Sequence, residues 1–245
     1  MVSVKELTKS FDGKPAVNGL NISAGKGSIY GLVGVNGSGK TTAIKHLAGL
    51  YKPDSGEVLL DGAEIHENPA AKARIGYVSD EVYFFNGYSL KKMAGFYKKA
   101  YPAFDEARYG RMLEITGLSE KGRMSKFSKG MQKQAALALA LSAMPDFLLL
   151  DEPIDGLDPI VRKRVFQEII DDVAARQMTV LISSHNLKEM DGICDTIGII
   201  KDGRMLAEKG LDELKAQMQG VIPAGGEPSL DEIFIHLYEN EEAGK

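Results

Sequence analysis

A glycine-rich run, GVNGSGKT at residues 34–41, constrains the fold of this chain more than any other feature of its sequence. The run matches the pattern GxxxxGKS/T, which needs a strand before it and a helix after it. Both are present: residues 28–33 (SIYGLV) are mostly apolar, as in a strand covered on both faces, and residues 41–50 carry a helical pattern. A strand, a tight glycine loop and a helix in this order predict an α/β core.

The loop has the chemistry of a phosphate-binding site. Its glycines let backbone N–H groups turn toward phosphate oxygens, and the helix N-terminus adds a partial positive charge there. Lys40 can reach the β- and γ-phosphates of a nucleotide, and the Thr41 hydroxyl can hold Mg²⁺. A chance match in a glycine-rich turn is the alternative, which the strand–loop–helix context disfavours. The predicted nucleotide-binding residues are Gly34, Asn36, Gly37, Ser38, Gly39, Lys40, Thr41 and Thr42.

Two carboxylates at the end of an apolar run supply the second half of a site. Residues 147–150 (FLLL) predict a buried strand that ends in Asp151 and Glu152. Successive strand residues point to opposite sides, so the two carboxylates can have different tasks. Asp151 would lie beside Mg²⁺, and Glu152 would orient and polarise the attacking water as general base. A solvated acidic strand end is the alternative, which pairing with the glycine loop makes unlikely.

The rest of the chain predicts the architecture around this site. Alternating apolar residues near positions 2–4, 20–22 and 57–60 predict an N-terminal antiparallel β subdomain. Apolar runs at 179–182 and 197–200, with helical patterns between them, predict a mainly parallel sheet wrapped by helices. Residues 81–144 lack strand alternation and predict an inserted helical subdomain. The fold class is therefore an α/β P-loop NTPase core, with its domain spanning residues 1–220.

The tail at residues 221–245 is predicted to be a Pro/Gly-rich linker followed by a short amphipathic helix. Leu230, Ile233, Phe234 and Leu237 would lie on one face of that helix.

Composition excludes several classes of protein. The net charge of −4 argues against a sequence-wide nucleic-acid footprint, so no nucleic-acid partner is expected. The single cysteine, Cys194, allows no intrachain disulfide and predicts a small buried residue. The N-terminus lacks the apolar segment of a secretion signal, and no apolar run approaches the ~20 residues needed to cross a bilayer. A cytoplasmic chain is expected, unless a partner tethers it.

Three further motifs, in order along the chain, resemble those of the ABC transporter ATP-binding family. Residues 127–132 (FSKGMQ) resemble its signature motif, which usually reads LSGGQ, and residues 155–158 (DGLD) resemble its D-loop. Ser183-Ser184-His185 resembles its H-switch, and Phe11 stands where the family places an aromatic that stacks on adenine. The resemblance covers residues 1 to about 210.

The resemblance implies a site shared between two copies. Each ATP is held between the P-loop of one cassette and the signature helix of another, which brings in Ser128, Gly130 and Asp158 as further nucleotide-binding residues. Ser128 is also a good N-cap for the helix that follows it. His185 would hydrogen-bond the γ-phosphate and position the water, as the second catalytic residue beside Glu152.

The implied activity is hydrolysis of ATP, with Mg²⁺, to drive transport. The implied partners are a separate transmembrane permease and a second ATP-binding subunit, which could be identical or different. The implied location is the inner face of the cell membrane.

Two positions depart from the family pattern. Lys129 and Met131 replace a glycine and a glutamine of the signature motif, whereas Ser128 and Gly130 are retained. Asp80 stands where the family has a glutamine that reaches Mg²⁺. An aspartate could meet the metal directly or through water but cannot donate a hydrogen bond. Asp80 is therefore a candidate metal ligand with Thr41 and Asp151; the alternative is that it only begins the helical subdomain.

Two segments favour a drug-export-like bacterial system of the ABC-2 type. Residues 229–234 (SLDEIF) resemble a tail common in ABC exporters, and residues 97–105 resemble a segment of a bacterial branch of that group. A soluble ABC ATPase acting on ribosomes or DNA is the alternative, although a second cassette, a coiled-coil insertion or zinc-binding cysteines are not visible. A P-loop kinase would leave the signature and D-loop motifs unexplained.

Overall fold

The computed structural model describes residues 1–153, 156–222 and 227–243. Its first part is an antiparallel sheet of four strands: β1 (Val2–Phe11), β2 (Lys14–Ala24), β4 (Ser55–Leu60) and β5 (Ala63–Glu64). The strands lie in the order β2-β1-β4-β5, and each neighbouring pair is antiparallel. This sheet confirms the N-terminal antiparallel subdomain predicted from the alternating residues.

A second sheet of six strands carries the loop. The strands are β3 (Ile29–Val33), β6 (Ile75–Val78), β7 (Phe147–Asp151), β8 (Thr179–Ser184), β9 (Thr196–Lys201) and β10 (Arg204–Gly210). Their order is β10-β9-β3-β8-β7-β6, with every pair parallel except β9 and β10. The predicted P-loop NTPase fold with a mainly parallel sheet is thus confirmed. The sequence-based prediction did not include the antiparallel edge strand β10.

Helices cover both faces of this sheet and form the inserted segment. They are α1 (Lys40–Leu47), α2 (Pro69–Lys72), α3 (Leu90–Ala100), α4 (Glu106–Thr116), α5 (Lys129–Ser142), α6 (Pro159–Arg176), α7 (Leu187–Asp191), α8 (Leu211–Met218) and α9 (Leu230–Ala243). A 3₁₀ turn, Met124–Lys126, precedes α5.

Side-chain caps explain where several helices begin. Ser128 accepts a hydrogen bond from the Met131 N–H at the start of α5. Asp158 accepts from the Ile160 N–H, and Pro159 occupies the first turn of α6. Short polar side chains in this position satisfy donors that have no partner inside the helix. The cap at Ser128 was predicted from its residue type, and it is confirmed.

Strand β7 divides two apolar layers. Phe147 and Leu149 belong to the cluster beneath α1 and the antiparallel sheet, whereas Leu148 and Leu150 belong to the cluster beneath α5, α6 and α9. All four are fully buried, which is the reason for an uninterrupted apolar run in a strand covered on both faces. Such a strand is held in one register, so its C-terminal carboxylates have a fixed position.

The C-terminal helix packs on the second of these layers. Leu230 and Ile233 are fully buried, and Phe234 and Leu237 pack against the same cluster, so the predicted apolar face is confirmed. Residues 223–226 of the predicted linker lie outside the described residues. Cys194 is buried as expected. In the described ranges no helix combines the length and the apolar character of a membrane span.

Candidate functional site

The glycine loop leads from β3 into α1 at the carboxyl edge of the parallel sheet. Gly39 precedes α1 with a φ of 110°, and no side chain caps that helix. A cleft of about 310 Å³ opens over the loop. Its lining residues are Ala16, Asn36, Gly37, Gly39, Lys40, Thr41, Thr42, Asp80 and Glu152. Six positions of the predicted nucleotide site, two of the three predicted metal ligands (one of them Thr41, which belongs to both sets) and the predicted general base therefore meet in a single cleft.

Lys40 is buried and folded back on its own loop. Its Nζ donates to the carbonyl oxygens of Gly34 at 2.7 Å and Val35 at 3.2 Å, and lies 3.9 Å from Glu152 Oε1. Burial lowers the pKa of Lys40, and the carboxylates of Glu152 and Asp151 oppose that shift. The two carbonyl contacts hold an ammonium group ready beside the cleft, where phosphate oxygens could replace those carbonyls.

The Thr41 hydroxyl and the Asp151 carboxylate meet beneath the cleft. Thr41 Oγ1 lies 3.3 Å from Asp151 Oδ1, and the Ser183 hydroxyl donates to the same oxygen at 2.6 Å. Asp151 is only 1% exposed. A buried carboxylate held by a neighbouring strand and adjacent to a hydroxyl gives the oxygen-only donor set that suits Mg²⁺.

Glu152, which lines the cleft, forms a contact pair with His185. Glu152 Oε2 lies 2.9 Å from His185 Nδ1 and accepts from the His185 backbone N–H at 3.3 Å. Glu152 has a φ of 47°, in the left-handed region that L-residues rarely adopt. Its backbone N–H donates to the Ser183 carbonyl at 3.1 Å, which helps to hold this conformation. Strain held in place by neighbouring contacts is typical of functional sites.

Asp80 lines the same cleft and is bound to a lysine of α5. Lys133 Nζ donates to Asp80 Oδ1 at 3.1 Å and to the backbone carbonyl of Glu152 at 2.6 Å. The Lys133 side chain is 6% exposed, whereas that of Asp80 is 57% exposed. A buried ammonium group thus connects the loop after β6, the end of β7 and helix α5. Helix α3, the first helix of the inserted subdomain, starts ten residues after Asp80.

Phe11 is the last residue of β1 in the antiparallel sheet and is not among the residues that line the cleft. Its ring meets the Tyr51 ring edge to face, with centroids 5.4 Å apart, and 41% of the residue is exposed. Tyr51 therefore supports a half-exposed aromatic face, to which a planar base could be added.

Ser128, Gly130 and Asp158 form a separate group, outside the cleft. Ser128 and Asp158 are exposed, and each caps its own helix. The Cα of Gly130 packs so closely on the Gly156 carbonyl that a Cβ at this position would overlap it. Glycine is therefore required for packing between α5 and the segment before α6. Asp155, the first residue of the predicted D-loop, lies outside the described residues.

A family comparison agrees with this arrangement. The model of the ABC transporter family matches residues 17–155, more than half of the chain. The chain belongs to the ABC transporter family. The resemblance stated from the motifs is thus confirmed, and the chain is an ATP-binding, ATP-hydrolysing subunit of an ABC transporter. One solved structure of this fold, at 23% identity and a TM-score of 0.78, is a dimeric ATP-binding cassette bound to ADP and phosphate.

Individual relatives cover nearly the whole cassette. The ABC transporter ATP-binding protein YtrB of Bacillus subtilis is 35% identical over 217 residues, which are 89% of this chain and 74% of the relative. The bacitracin transport ATP-binding protein BcrA of Bacillus licheniformis is 37% identical over 225 residues, covering 88% and 71%. A solved structure of the ATP-binding subunit of an ABC transporter aligns with a TM-score of 0.88 at 26% identity, covering 97% of this chain and 99% of that one.

Sequence reasoning missed two contacts of this cassette. Ser183 was quoted only as part of the H-switch, and Lys133 was not considered, although Ser183 binds the Asp151 carboxylate and Lys133 binds the Asp80 carboxylate and the Glu152 backbone carbonyl. Lys133 could have been found from the sequence, because it is a lysine at the start of the mostly apolar part of α5. Residues 133–142 are all buried. A buried lysine in such a helix needs an anionic or carbonyl partner.

Proposed function

We propose that this cassette hydrolyses ATP in the cleft above the glycine loop and thereby drives export through a separate membrane subunit. One observation carries the proposal: Lys40, Glu152 and His185 lie within a chain of contacts no longer than 3.9 Å, beside the Thr41–Asp151 pair. This is the set of groups that phosphoryl transfer to water requires.

The proposed roles follow from these positions. Lys40 exchanges the Gly34 and Val35 carbonyls for phosphate oxygens and neutralises their charge. Glu152 accepts a proton from the attacking water. The water oxygen bonds to the γ-phosphorus while the bond from that phosphorus to the β–γ bridging oxygen breaks. ADP and inorganic phosphate leave. His185, 2.9 Å from Glu152, orients the carboxylate and can hydrogen-bond the γ-phosphate.

Thr41 and Asp151 fit Mg²⁺, which would neutralise charge on the β- and γ-phosphates when it is bound. Asp151 keeps its carboxylate beside the Thr41 hydroxyl because the Ser183 hydroxyl holds the same oxygen. Asp80 belongs to the same proposed set, because it lines the cleft with Thr41. Its bond to Lys133 leaves the other carboxylate oxygen for a metal-bound water.

A dimer of cassettes is part of the proposal. Ser128 is exposed at the N-terminus of α5, away from the cleft of its own chain. A second copy could therefore present this helix end to the bound γ-phosphate, with Gly130 and Asp158 nearby. The partner cassette is the same chain or a related one.

A group of exposed aromatic residues on the inserted subdomain supports docking to a permease. Tyr83 is 81% exposed, Phe85 49% and Phe96 44%, and the rings of Phe85 and Phe96 lie 5.1 Å apart. Apolar groups of this kind mark interaction sites more often than solvated surface. Docking at this face would hold the cassette at the inner surface of the membrane. The similarity to BcrA supports export as the direction.

Replacement of the proposed base tests the hydrolytic mechanism. In Glu152→Gln the side chain keeps its size but cannot take a proton, so we expect ATP binding within about twofold and turnover reduced by about 10²–10⁴-fold. An ATP-dependent dimer should accumulate on size-exclusion chromatography. Glu57→Gln, an exposed carboxylate of β4, is the matched control. Hydrolysis by Glu152→Gln at the parental rate would refute the assignment of the base.

Purification from membranes tests the transport function. The cassette should co-purify with a membrane protein from detergent-solubilised membranes, and alanine at Phe85 and Phe96 should abolish that recovery without changing ATP hydrolysis by the isolated cassette. Recovery with ribosomes or DNA would instead favour a soluble ABC ATPase.

A further inference from the structure

The C-terminal helix contacts the glycine loop through the side chain of Tyr238. Tyr238 of α9 accepts a hydrogen bond from the Val35 backbone N–H at 3.3 Å and donates its own proton to the Ile200 carbonyl at 2.5 Å. One phenol oxygen thus serves as acceptor and donor at once. Burial raises the pKa of Tyr238, so the hydroxyl keeps its proton at neutral pH and the donated bond persists.

The ring that carries this hydroxyl is fixed by its surroundings. It packs on the Phe234 ring with centroids 4.3 Å apart, and Lys201 Nζ lies 4.9 Å from its centroid. Lys201 also donates to the Tyr238 carbonyl at 3.0 Å and lies 3.3 Å from Glu241. These contacts join α9 to the end of β9, which lies directly beside β3.

The peptide between Gly34 and Val35 is held from two sides. On one side the carbonyl oxygens of Gly34 and Val35 accept hydrogen bonds from the Lys40 ammonium group. On the other side the Ile200 carbonyl is only 2.5 Å from the position of a Cβ on Gly34, and Tyr238 binds the Val35 N–H. When Lys40 leaves the carbonyls to bind phosphate, the contacts to Ile200 and Tyr238 remain to hold the start of the loop.

We propose that Tyr238 is a positioning residue for the phosphate loop and that α9 thereby helps to set the affinity of this cassette for ATP. The inference rests on the proposed role of the loop as the ATP site. Tyr238 does not touch the nucleotide in this proposal. It fixes the conformation that the loop must have before phosphate arrives, and preorganisation of this kind increases affinity by lowering the cost of ordering.

Tyr238→Phe tests the inference, because it removes one oxygen and keeps the ring packed on Phe234. A net hydrogen bond to a backbone amide corresponds to roughly a three- to tenfold change, so we expect the Kd of the full-length protein for ATP to rise by that factor. We expect kcat at saturating ATP to stay within about twofold. Tyr101→Phe, at the end of α3, is the matched control and should leave both quantities unchanged.

Two further readouts separate positioning from general stability. Hydrogen exchange of a peptide covering residues 34–39 should become faster in nucleotide-free Tyr238→Phe, because the Val35 amide loses its partner. The rise in Tm caused by saturating ATP should become smaller than in the parent. Unchanged ATP affinity and unchanged exchange in residues 34–39, with Tm lowered equally with and without ATP, would overturn the inference. Failure of the parent protein itself to bind ATP would overturn the proposed function instead.

Discussion

Two helices of this cassette begin beside phosphate-binding motifs, and their N-termini are built differently. Helix α1 begins after Gly39 without a side-chain cap, and its first residues line the cleft. Helix α5 begins at Ser128, whose hydroxyl already accepts from the Met131 N–H. The first end lies among buried residues such as Ser38 and Lys40, whereas the second lies among exposed ones.

The two helix N-termini differ in how much of a nucleotide site the same chain supplies around them. The α1 end has its own cation, hydroxyl and carboxylates, all supplied by the same chain within one cleft. The α5 end begins at exposed residues, outside that cleft. We infer that the α1 end determines ATP affinity, whereas the α5 end acts only on an ATP molecule held by another copy. The predictions that follow test this division.

The largest effect is expected at the exposed helix end. In Ser128→Arg a long side chain would block contact with a partner's nucleotide, so ATP hydrolysis should fall by about 10³-fold, in the range attributed to charge-stabilising groups supplied in trans. Kd for ATP should stay within about twofold. Ser125→Arg, in the exposed turn before α5, should retain parental hydrolysis. Loss of binding together with hydrolysis in Ser128→Arg would contradict the division.

A mixture of variants sharpens the same test. Lys40→Met and Ser128→Arg chains should each be inactive alone, but a heterodimer of the two contains one site with an intact loop and an intact α5 end. We expect mixing to restore up to about half of the activity per heterodimer, since one of two sites is complete. Continued inactivity of a verified heterodimer would show that the sites do not combine parts of two chains.

The second effect concerns the loop lysine. Lys40→Met removes a charged hydrogen-bond donor, and such bonds contribute about 1.5–3 kcal/mol, so Kd for ATP should rise about 10- to 150-fold. Isothermal titration calorimetry provides the measurement. Lys26→Met, an exposed lysine before β3, should bind ATP as the parent does. Tight binding by Lys40→Met would remove the loop from its proposed role.

A smaller loss of activity is expected at the ion pair between Asp80, which lines the cleft, and Lys133 of α5. Asp80→Asn and Lys133→Met each disrupt the same ion pair, so each should lower kcat about tenfold and the double variant should be hardly worse than either single one. In a double-mutant cycle, residues in contact usually show an interaction free energy of about 0.5–3 kcal/mol. Additive losses would mean that the pair does not act as a unit. A Mg²⁺ titration of Asp80→Asn is the separate test of metal binding, and an unchanged titration would exclude Asp80 from the metal site.

The smallest effect concerns stability. Ser128→Ala removes the cap of α5 and should lower the free energy of unfolding by about 1 kcal/mol, measured by urea denaturation. Ser125→Ala is the control and should leave stability unchanged. The contrast with α1, whose start has no side-chain cap to lose, makes this a direct comparison of the two helix ends. A loss below 0.3 kcal/mol, smaller than that usually seen for a cap, would mean that Ser128 has no structural role.

The sequence predicted most of what is local in this fold. Strand β7 and its carboxylates follow from an apolar run that ends in acidic residues, and the caps at Ser128 and Asp158 follow from residue type alone. These features depend on neighbours within a few positions, which is where sequence patterns are informative.

Contacts between distant segments were not predictable in this way. Lys133 meets Asp80 across 53 positions, and Tyr238 meets Val35 across 203. Nothing in the local pattern around either residue identifies its partner, because the packing of helices on the sheet decides which segments meet. The same reason explains why Tyr51, rather than a residue of the cleft, was found against Phe11.

Helix α5 is shared by two apolar layers, and this has a mechanical consequence. Ala135 and Leu139 pack in the cluster of the inserted subdomain, whereas Leu137 and Leu141 pack in the cluster of the parallel sheet. Helix α5 therefore carries the signature motif at its N-terminus and packs along its length against both apolar clusters. A rotation of the inserted subdomain would therefore displace the signature motif with it.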